Sequence, residues 1–174
     1  RGLGDVYKRQ AYVPNKIETI ISFLACAKNG IIWSSCSPDF GVQGVVDRFK
    51  QIEPKVLITS DYYFYNGKKI NILDKVDEVL KQIPSIEKVI VYNYYKKEKE
   101  NLKNFIDFED TLNIKSDESF ERFEFNHPIY ILFSSGTTGK PKCITHGTGN
   151  VLIEHNKEFM LCLLYTSPSP RDLS

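Results

Sequence analysis

The sequence predicts an α/β fold built on a largely parallel sheet with crossover helices. Three observations carry that prediction. Short apolar, β-branched runs recur at 31–35, 55–59, 88–92 and 129–133. Segments with apolar residues at helical spacing lie between them, and turn-forming residues punctuate the changes of period. Strands separated by helices of roughly 10 to 15 residues imply βαβ units, because parallel neighbours need a crossover connection to return the chain to the same edge.

In chain order, Asn15 stands as an N-cap before an apolar-periodic stretch through Ile17, Ile20, Ile21, Leu24 and Ala27, and Gly30 closes that helix. The run 31–35 is the next strand. The turn-rich segment Ser37-Pro38-Asp39-Phe40-Gly41 then leads to Val42, Val45, Val46 and Phe49 at helical spacing. Pro54 ends that helix and 55–59 reads as a buried parallel strand. Ile70, Leu73, Val76, Val79, Leu80 and Ile83 mark a further amphipathic helix, with a strand at 88–92 after it. The charge run 96–103 reads as a solvated loop or edge. Pro128 precedes the most apolar stretch, 129–133, a central strand; 143–145 is too short to assign, and 151–163 reads as a helix with Glu154, His155, Lys157 and Glu158 on its wetter side.

Composition bounds the function. A chain of 174 residues with 41% hydrophobic and 26% charged residues has the balance of an ordinary globular domain and excludes collagen, coiled coil and wholesale disorder. Lys and Arg number 23 against 22 Asp and Glu, a formal charge of +1, so no general field recruits nucleic acid and any phosphate binding must be local. The apolar run 20–27 is far short of the ~20 residues a bilayer helix needs, and Glu18 disqualifies it as a signal segment. No membrane or nucleic-acid partner is expected. Four cysteines without a CxxC pair fit reduced thiols in a cytoplasm.

The two ends differ from the rest. Residues 1–10 are rich in Gly and Arg without periodicity, and 164–174 alternate Ser and Pro; neither shows a face to bury. Both resemble translated adapter sequence and are expected to lie outside the fold as non-native ends. Residues 11–163 remain as the domain.

The segment Ser134-Ser135-Gly136-Thr137-Thr138-Gly139-Lys140-Pro141-Lys142 follows the most apolar stretch, which is expected to be the most buried strand. Glycines let backbone N–H groups approach a bulky anion, hydroxyls donate further bonds and lysine supplies positive charge, which together suit a polyphosphate. Only two residues separate Gly136 from Gly139, so the loop is not the P-loop of kinases and GTPases, which has four before Gly-Lys-Ser/Thr. A polar surface loop that binds nothing is the plain alternative. Its position after a buried strand, the stiffening Pro141 and the two lysines argue against that.

The run FSSGTTGKPK resembles the phosphate loop of the adenylate-forming enzymes, the superfamily of acyl-CoA synthetases, peptide-synthetase adenylation domains and luciferases. Residues 12–68 and 127–158 are similar to the acetoacetyl-CoA synthetases within it. The resemblance implies a piece of a large N-terminal AMP-binding domain, with ATP, Mg2+ carried by ATP, CoA and acetoacetate as ligands and the remainder of a parent chain as partner. It assigns the ATP phosphates to Ser134, Ser135, Gly136, Thr137, Thr138, Gly139 and Lys142, and leaves Lys140 at a variable position. That superfamily usually has glycine where this chain has Cys143. The resemblance brings Trp33 and Lys68 toward CoA; a core tryptophan and a solvated turn lysine are their ordinary readings. The phosphate loop's own residues supply no catalytic nucleophile, and Cys36 and Cys143 have no partner histidine motif. His146 and His155 are nine apart and His127 is remote, so no metal site is expected. Three functions follow: an ATP-dependent acetoacetate–CoA ligase, another short-chain acyl-CoA synthetase of acetyl or propionyl type, or a non-catalytic nucleotide-binding module.

Overall fold

Residues 8–94, 105–115, 119–134 and 139–163 are described by a computed structural model of the chain. Among the described residues, nine strands and five α-helices, with one closing π-helical turn, follow in the order β1 (Lys8–Tyr12), α1 (Ile17–Lys28), β2 (Ile32–Cys36), α2 (Val42–Phe49), β3 (Val56–Ser60), β4 (Tyr62–Tyr65) and β5 (Lys68–Asn71). The rest are α3 (Leu73–Gln82), β6 (Lys88–Tyr92), β7 (Phe105–Asp107), α4 (Phe108–Leu112), β8 (Pro128–Ser134), β9 (Lys142–Gly147), α5 (Thr148–Glu158) and the π-helical turn Phe159–Leu163. Seven strands form the main sheet in the order β7-β6-β3-β1-β2-β8-β9, while β4 and β5 make a separate hairpin. Every pairing in the main sheet is parallel except β8 with β9. The strands expected near Ile31, Val56, Val89 and Ile131 are all members of it.

Two-residue alternation along the buried strands sends side chains to both faces. Tyr12, Cys36, Leu57, Val89 and Val91 meet Val45, Val46 and Phe49 of α2 and Val76 and Val79 of α3. Ala11, Trp33, Ile58 and Tyr92 meet Cys26 of α1 and Phe108 of α4 on the other face. Phe49 is fully buried, and its truncation to alanine costs about 3 to 5 kcal/mol. Ile32 and Ile131 pack with Ile52, tying β8 to the sheet.

Several boundaries depart from the sequence reading. Lys16, not Asn15, caps α1, with no side-chain hydrogen bond. The helix ends as expected: Gly30 has φ +63°, Ile31 N–H donates to Cys26 O at 2.9 Å and Gly30 N–H to Ala27 O at 3.2 Å, the two bonds of a Schellman cap. Lys8, Arg9 and Gln10, expected outside the fold, form the first part of β1 between β2 and β3. Flanking strands recruit that polar stretch through backbone bonds, and Gln10 is fully buried. Ile70 lies in β5 rather than in the helix, which starts at Leu73. Asn66 and Gly67 take φ +47° and +72°, the paired positive angles of a tight hairpin turn, and so divide β4 from β5. The 143–145 segment belongs to β9, and α5 begins at Thr148 rather than at 151. The 96–103 charge run and the 164–174 end lie outside the described residues.

Candidate functional site

Because β1, β2, β3, β6 and β8 run parallel, the segments leaving their C-terminal ends gather along one edge of the sheet. Chain order reverses there: β1 leads to β2 on one side, while β3, β6 and β7 continue on the other. Ligands of open α/β sheets bind in the crevice outside the strand ends at such a point.

Three segments leave the strands along this edge. After β8 comes the Ser- and Gly-rich loop, of which Ser134, Gly139, Lys140, Pro141 and Lys142 are described and 135–138 lie outside the described residues. Ser134 and Lys142 are direct partners in the antiparallel β8–β9 ladder. Opposed residues keep their Cβ atoms about 5 Å apart on one face, so the fold brings these two together. Lys140 sits in the bend beyond the ladder, and Gly139 has φ +153°, favoured by glycine, with open space where a Cβ would stand. Both lysines are exposed.

The exit of the loop is held by a residue that sequence reasoning missed. Gln51, just past α2, donates from Nε2 to Pro141 O at 2.9 Å and accepts from Cys143 Sγ at 3.5 Å. The 90-residue separation leaves no local signal for this contact. It also gives the unusual Cys143 a role, as a thiol donor facing Gln51. Cys143 is exposed, and desolvation raises its thiol pKa.

The second segment, 37–41 after β2, gives Ser37, Pro38 and Asp39 to one wall of a cavity of about 300 Å3 that Val13, Pro14, Thr19, Tyr63 and Phe64 also line. Tyr12, at the end of β1, donates its hydroxyl to Phe40 O at 2.5 Å and shares it with Pro38 O at 3.1 Å. Lys75 Nζ reaches Pro38 O at 3.3 Å, and the Arg48 guanidinium lies 4.2 Å from the Phe40 ring centre. The third segment begins at Asp61, 2% exposed, whose Oδ1 accepts from the backbone N–H groups of Tyr62 at 2.8 Å and Tyr94 at 2.6 Å. That carboxylate joins the end of β6 to the start of the hairpin carrying Tyr63, Phe64 and Lys68.

The remaining candidates divide. Lys68 is exposed on the hairpin directly after the turn. Trp33 is 6% exposed and packs edge-on against Phe23 at 6.1 Å, inside the core under α1, which is the ordinary reading of a lone tryptophan. His127 holds Gly30 O at 2.9 Å and stacks on Phe123 at 4.4 Å, a structural post between α1 and the lead into β8. His146 faces Tyr130 across the β8–β9 ladder, with ring centres 4.9 Å apart. Burial pushes the Cys36 thiol up to about 12 and the Cys26 thiol up to about 11, the state of inert core thiols. Among the described residues no three His, Cys, Asp or Glu side chains cluster as a metal site, and no helix is long and apolar enough to cross a membrane. A larger hollow of about 760 Å3 lies beneath α1 and α4, lined by Cys26, Ile58, Ile90 and Phe108, and none of the three segments lines it.

Comparison with known proteins follows the same lines. A family model described as AMP-binding enzyme matches residues 10–167. Acetoacetyl-CoA synthetase of Gallus gallus is 43% identical over 159 residues, covering 86% of this chain and 24% of that protein. Acetoacetyl-coenzyme A synthetase of Rhizobium meliloti (strain 1021) is 45% identical over 164 residues, covering 91% of this chain and 25% of that protein. Malonamoyl-CoA synthetase of Penicillium aethiopicum is 39% identical over 162 residues, covering 86% and 22%. The solved structure of acetoacetyl-CoA synthetase from Streptomyces lividans matches with a TM-score of 0.83 and 37% identity, over 91% of this chain and 24% of that one. The chain spans about a quarter of the length of the curated relatives it matches.

Proposed function

The chain belongs to the AMP-binding enzyme family, and from that membership we propose that its parent is an ATP-dependent acetoacetate–CoA ligase of which this is part of the large N-terminal domain. The observation that carries the reading is identity of 43% and 45% to acetoacetyl-CoA synthetases of a bird and a bacterium, extending across the sheet and its phosphate loop. In the first half-reaction a carboxylate oxygen of acetoacetate bonds to the α-phosphorus of Mg-ATP, the bond to the bridging oxygen breaks, and pyrophosphate leaves. In the second the CoA sulfur, having lost its proton, bonds to the acyl carbon and AMP departs.

The role assigned to this chain is electrostatic. Hydroxyls of Ser134, Ser135, Thr137 and Thr138, backbone N–H groups at Gly136 and Gly139, and the Lys142 ammonium neutralise the β- and γ-phosphates as they leave. Mg2+ arrives with ATP and needs no ligand cluster here. The cavity beside 37–41 is assigned to the arm of CoA, and Lys68, on the hairpin whose Tyr63 and Phe64 line that cavity, to its phosphates. The remainder of the parent is the partner: α1 exposes Ile17, Ile20, Ile21 and Leu24, α5 exposes Leu152 and Ile153, and the cross-strand pair Leu132 and Ile144 is half-exposed. Free Cys26, Cys36 and Cys143 support a cytoplasmic setting.

The malonamoyl-CoA synthetase relative favours one second reading, a ligase for a different short acid on the same scaffold. The test is ATP–pyrophosphate exchange by the full-length parent with acetoacetate, acetate, propionate or malonamate. Preference for acetoacetate supports the proposal, preference for another acid selects the second reading, and exchange with none leaves a non-catalytic nucleotide-binding module.

A further inference from the structure

We propose that Tyr12 is a positioning residue for CoA capture, its hydroxyl setting the shape of the 37–41 loop that walls the cavity at the ends of β1 and β2. The proposal rests on the assignment of that cavity to CoA.

Tyr12 is the last residue of β1 and is fully buried, so its ring is fixed by the sheet and by the helices packed on it. One hydroxyl proton is shared between Phe40 O at 2.5 Å and Pro38 O at 3.1 Å, tying a rigid strand end to a loop 26 to 28 residues further along the chain. Burial lifts the phenol far above its ordinary pKa, so it stays a donor across the working range.

The other tethers are of a different kind. Ser37 Oγ donates to Asp39 Oδ2 at 2.9 Å and Phe40 N–H to Ser37 O at 3.1 Å, which shape the turn but anchor it to nothing else. Lys75 and Arg48 reach in from α3 and α2 on long flexible side chains. Tyr63, buried on the hairpin, hydrogen-bonds the Asp39 side chain, so Tyr12 is the link between the main sheet and the loop's backbone carbonyls at Pro38 and Phe40. Removing its oxygen leaves the carbonyls of Pro38 and Phe40 without that donor and lets Pro38, which lines the cavity, drift from its place. The phosphate loop follows β8, and none of its described residues lines the cavity, so the change falls on CoA capture rather than on adenylation.

The experiment uses the full-length parent and separates its half-reactions. For Tyr12→Phe, which keeps the ring and removes only the oxygen, the KM for CoA should rise about tenfold, as one lost buried hydrogen bond shifts the loop equilibrium by that factor. Its kcat and its CoA-independent ATP–pyrophosphate exchange should stay within about twofold. Lys75→Met, removing a flexible tether to the same carbonyl, should raise the KM for CoA about two- to threefold. An unchanged KM in Tyr12→Phe, with Lys68→Ala raising it, overturns the role of Tyr12 while sparing the CoA assignment. If neither variant changes the KM, the assignment itself fails and the proposal with it. Equal loss of exchange and thioester formation in Tyr12→Phe marks a merely structural residue. Where Tyr12→Phe does not fold, Lys75→Met decides, and no rise in its KM for CoA refutes loop control.

Discussion

Two lysines follow the phosphate-loop glycines, and the fold treats them differently. Lys142 is the first residue of β9 and stands opposite Ser134 in the ladder, while the preceding Pro141 has a fixed φ and a carbonyl held by Gln51 at 2.9 Å. Its backbone is therefore set before any ligand arrives. Lys140 projects from the bend beyond the ladder, and closing it onto a phosphate would require ordering both the backbone and a long side chain. A charge-assisted hydrogen bond contributes about 1.5 to 3 kcal/mol. If it forms chiefly as pyrophosphate departs, Lys142→Ala slows adenylation by about 10- to 150-fold. Lys140→Ala removes a solvated charge, costing under ~1 kcal/mol, or less than about fivefold. The assay is acetoacetate-dependent ATP–pyrophosphate exchange by both variants of the full-length parent, at saturating Mg-ATP and one ionic strength. Greater damage in Lys140→Ala, or two near-normal variants, would refute the argument that ladder geometry selects Lys142.

Four other outcomes are expected. The 174-residue chain alone should catalyse no acetoacetyl-CoA formation, since it spans about a quarter of its curated relatives; acetoacetate-dependent exchange by the purified chain contradicts this. Gln10 is fully buried with both amide atoms unpaired, so Gln10→Leu should stabilise the chain by about 1 to 3 kcal/mol in urea unfolding; a lower midpoint means the amide is satisfied. Gly30→Ala combines a positive φ with a Cβ placed 2.3 Å from the Phe123 ring, and should cost about 2 to 5 kcal/mol; a change under ~0.5 kcal/mol contradicts that geometry. In a Cys162→Ser background, maleimide at pH 8 should label Cys143 and spare Cys26 and Cys36 in the folded chain. Those two thiols are held neutral by burial, so their contribution is present below the ordinary value of 9.0 and is lost as pH rises toward 11 to 12; rising stability over that range reverses the sign.

How much of this was readable in the chain depended on the kind of signal. Strands β3 and β6 are apolar because parallel strands are covered on both faces, and that leaves an unbroken run in any sequence; β8 is as apolar, yet it lies beside the edge strand and only Ile131 in it is buried, with Leu132 half-exposed. Helices α2 and α3 declare themselves by apolar residues three and four apart. The proposed phosphate loop is local chemistry, legible because its glycines, hydroxyls and lysines are contiguous in sequence. The β4–β5 hairpin carried a signal that went unread: Asn66-Gly67 between two extended runs is a hairpin turn, but the tyrosine-rich first strand does not alternate and Ile70 mimics the start of the α3 period. Strand β7 has three residues and α4 five, too few for any period to show.

Other features had no local signature at all. The polar Lys8-Arg9-Gln10 becomes a strand because β2 and β3 flank it and satisfy its backbone, a condition set by residues more than twenty positions away. Gln51 meets Pro141, Tyr12 meets Phe40 and His127 meets Gly30 only once the sheet has ordered its strands. The sequence by itself determined the α/β class, the parallel strands and the family-bearing loop, since each is written as a run or a period of neighbouring residues. Tertiary structure alone decided which strand ends share an edge, which lysine lies opposite Ser134 and which buried hydroxyl holds the 37–41 loop, because those depend on pairing between segments whose separation leaves no trace in local order.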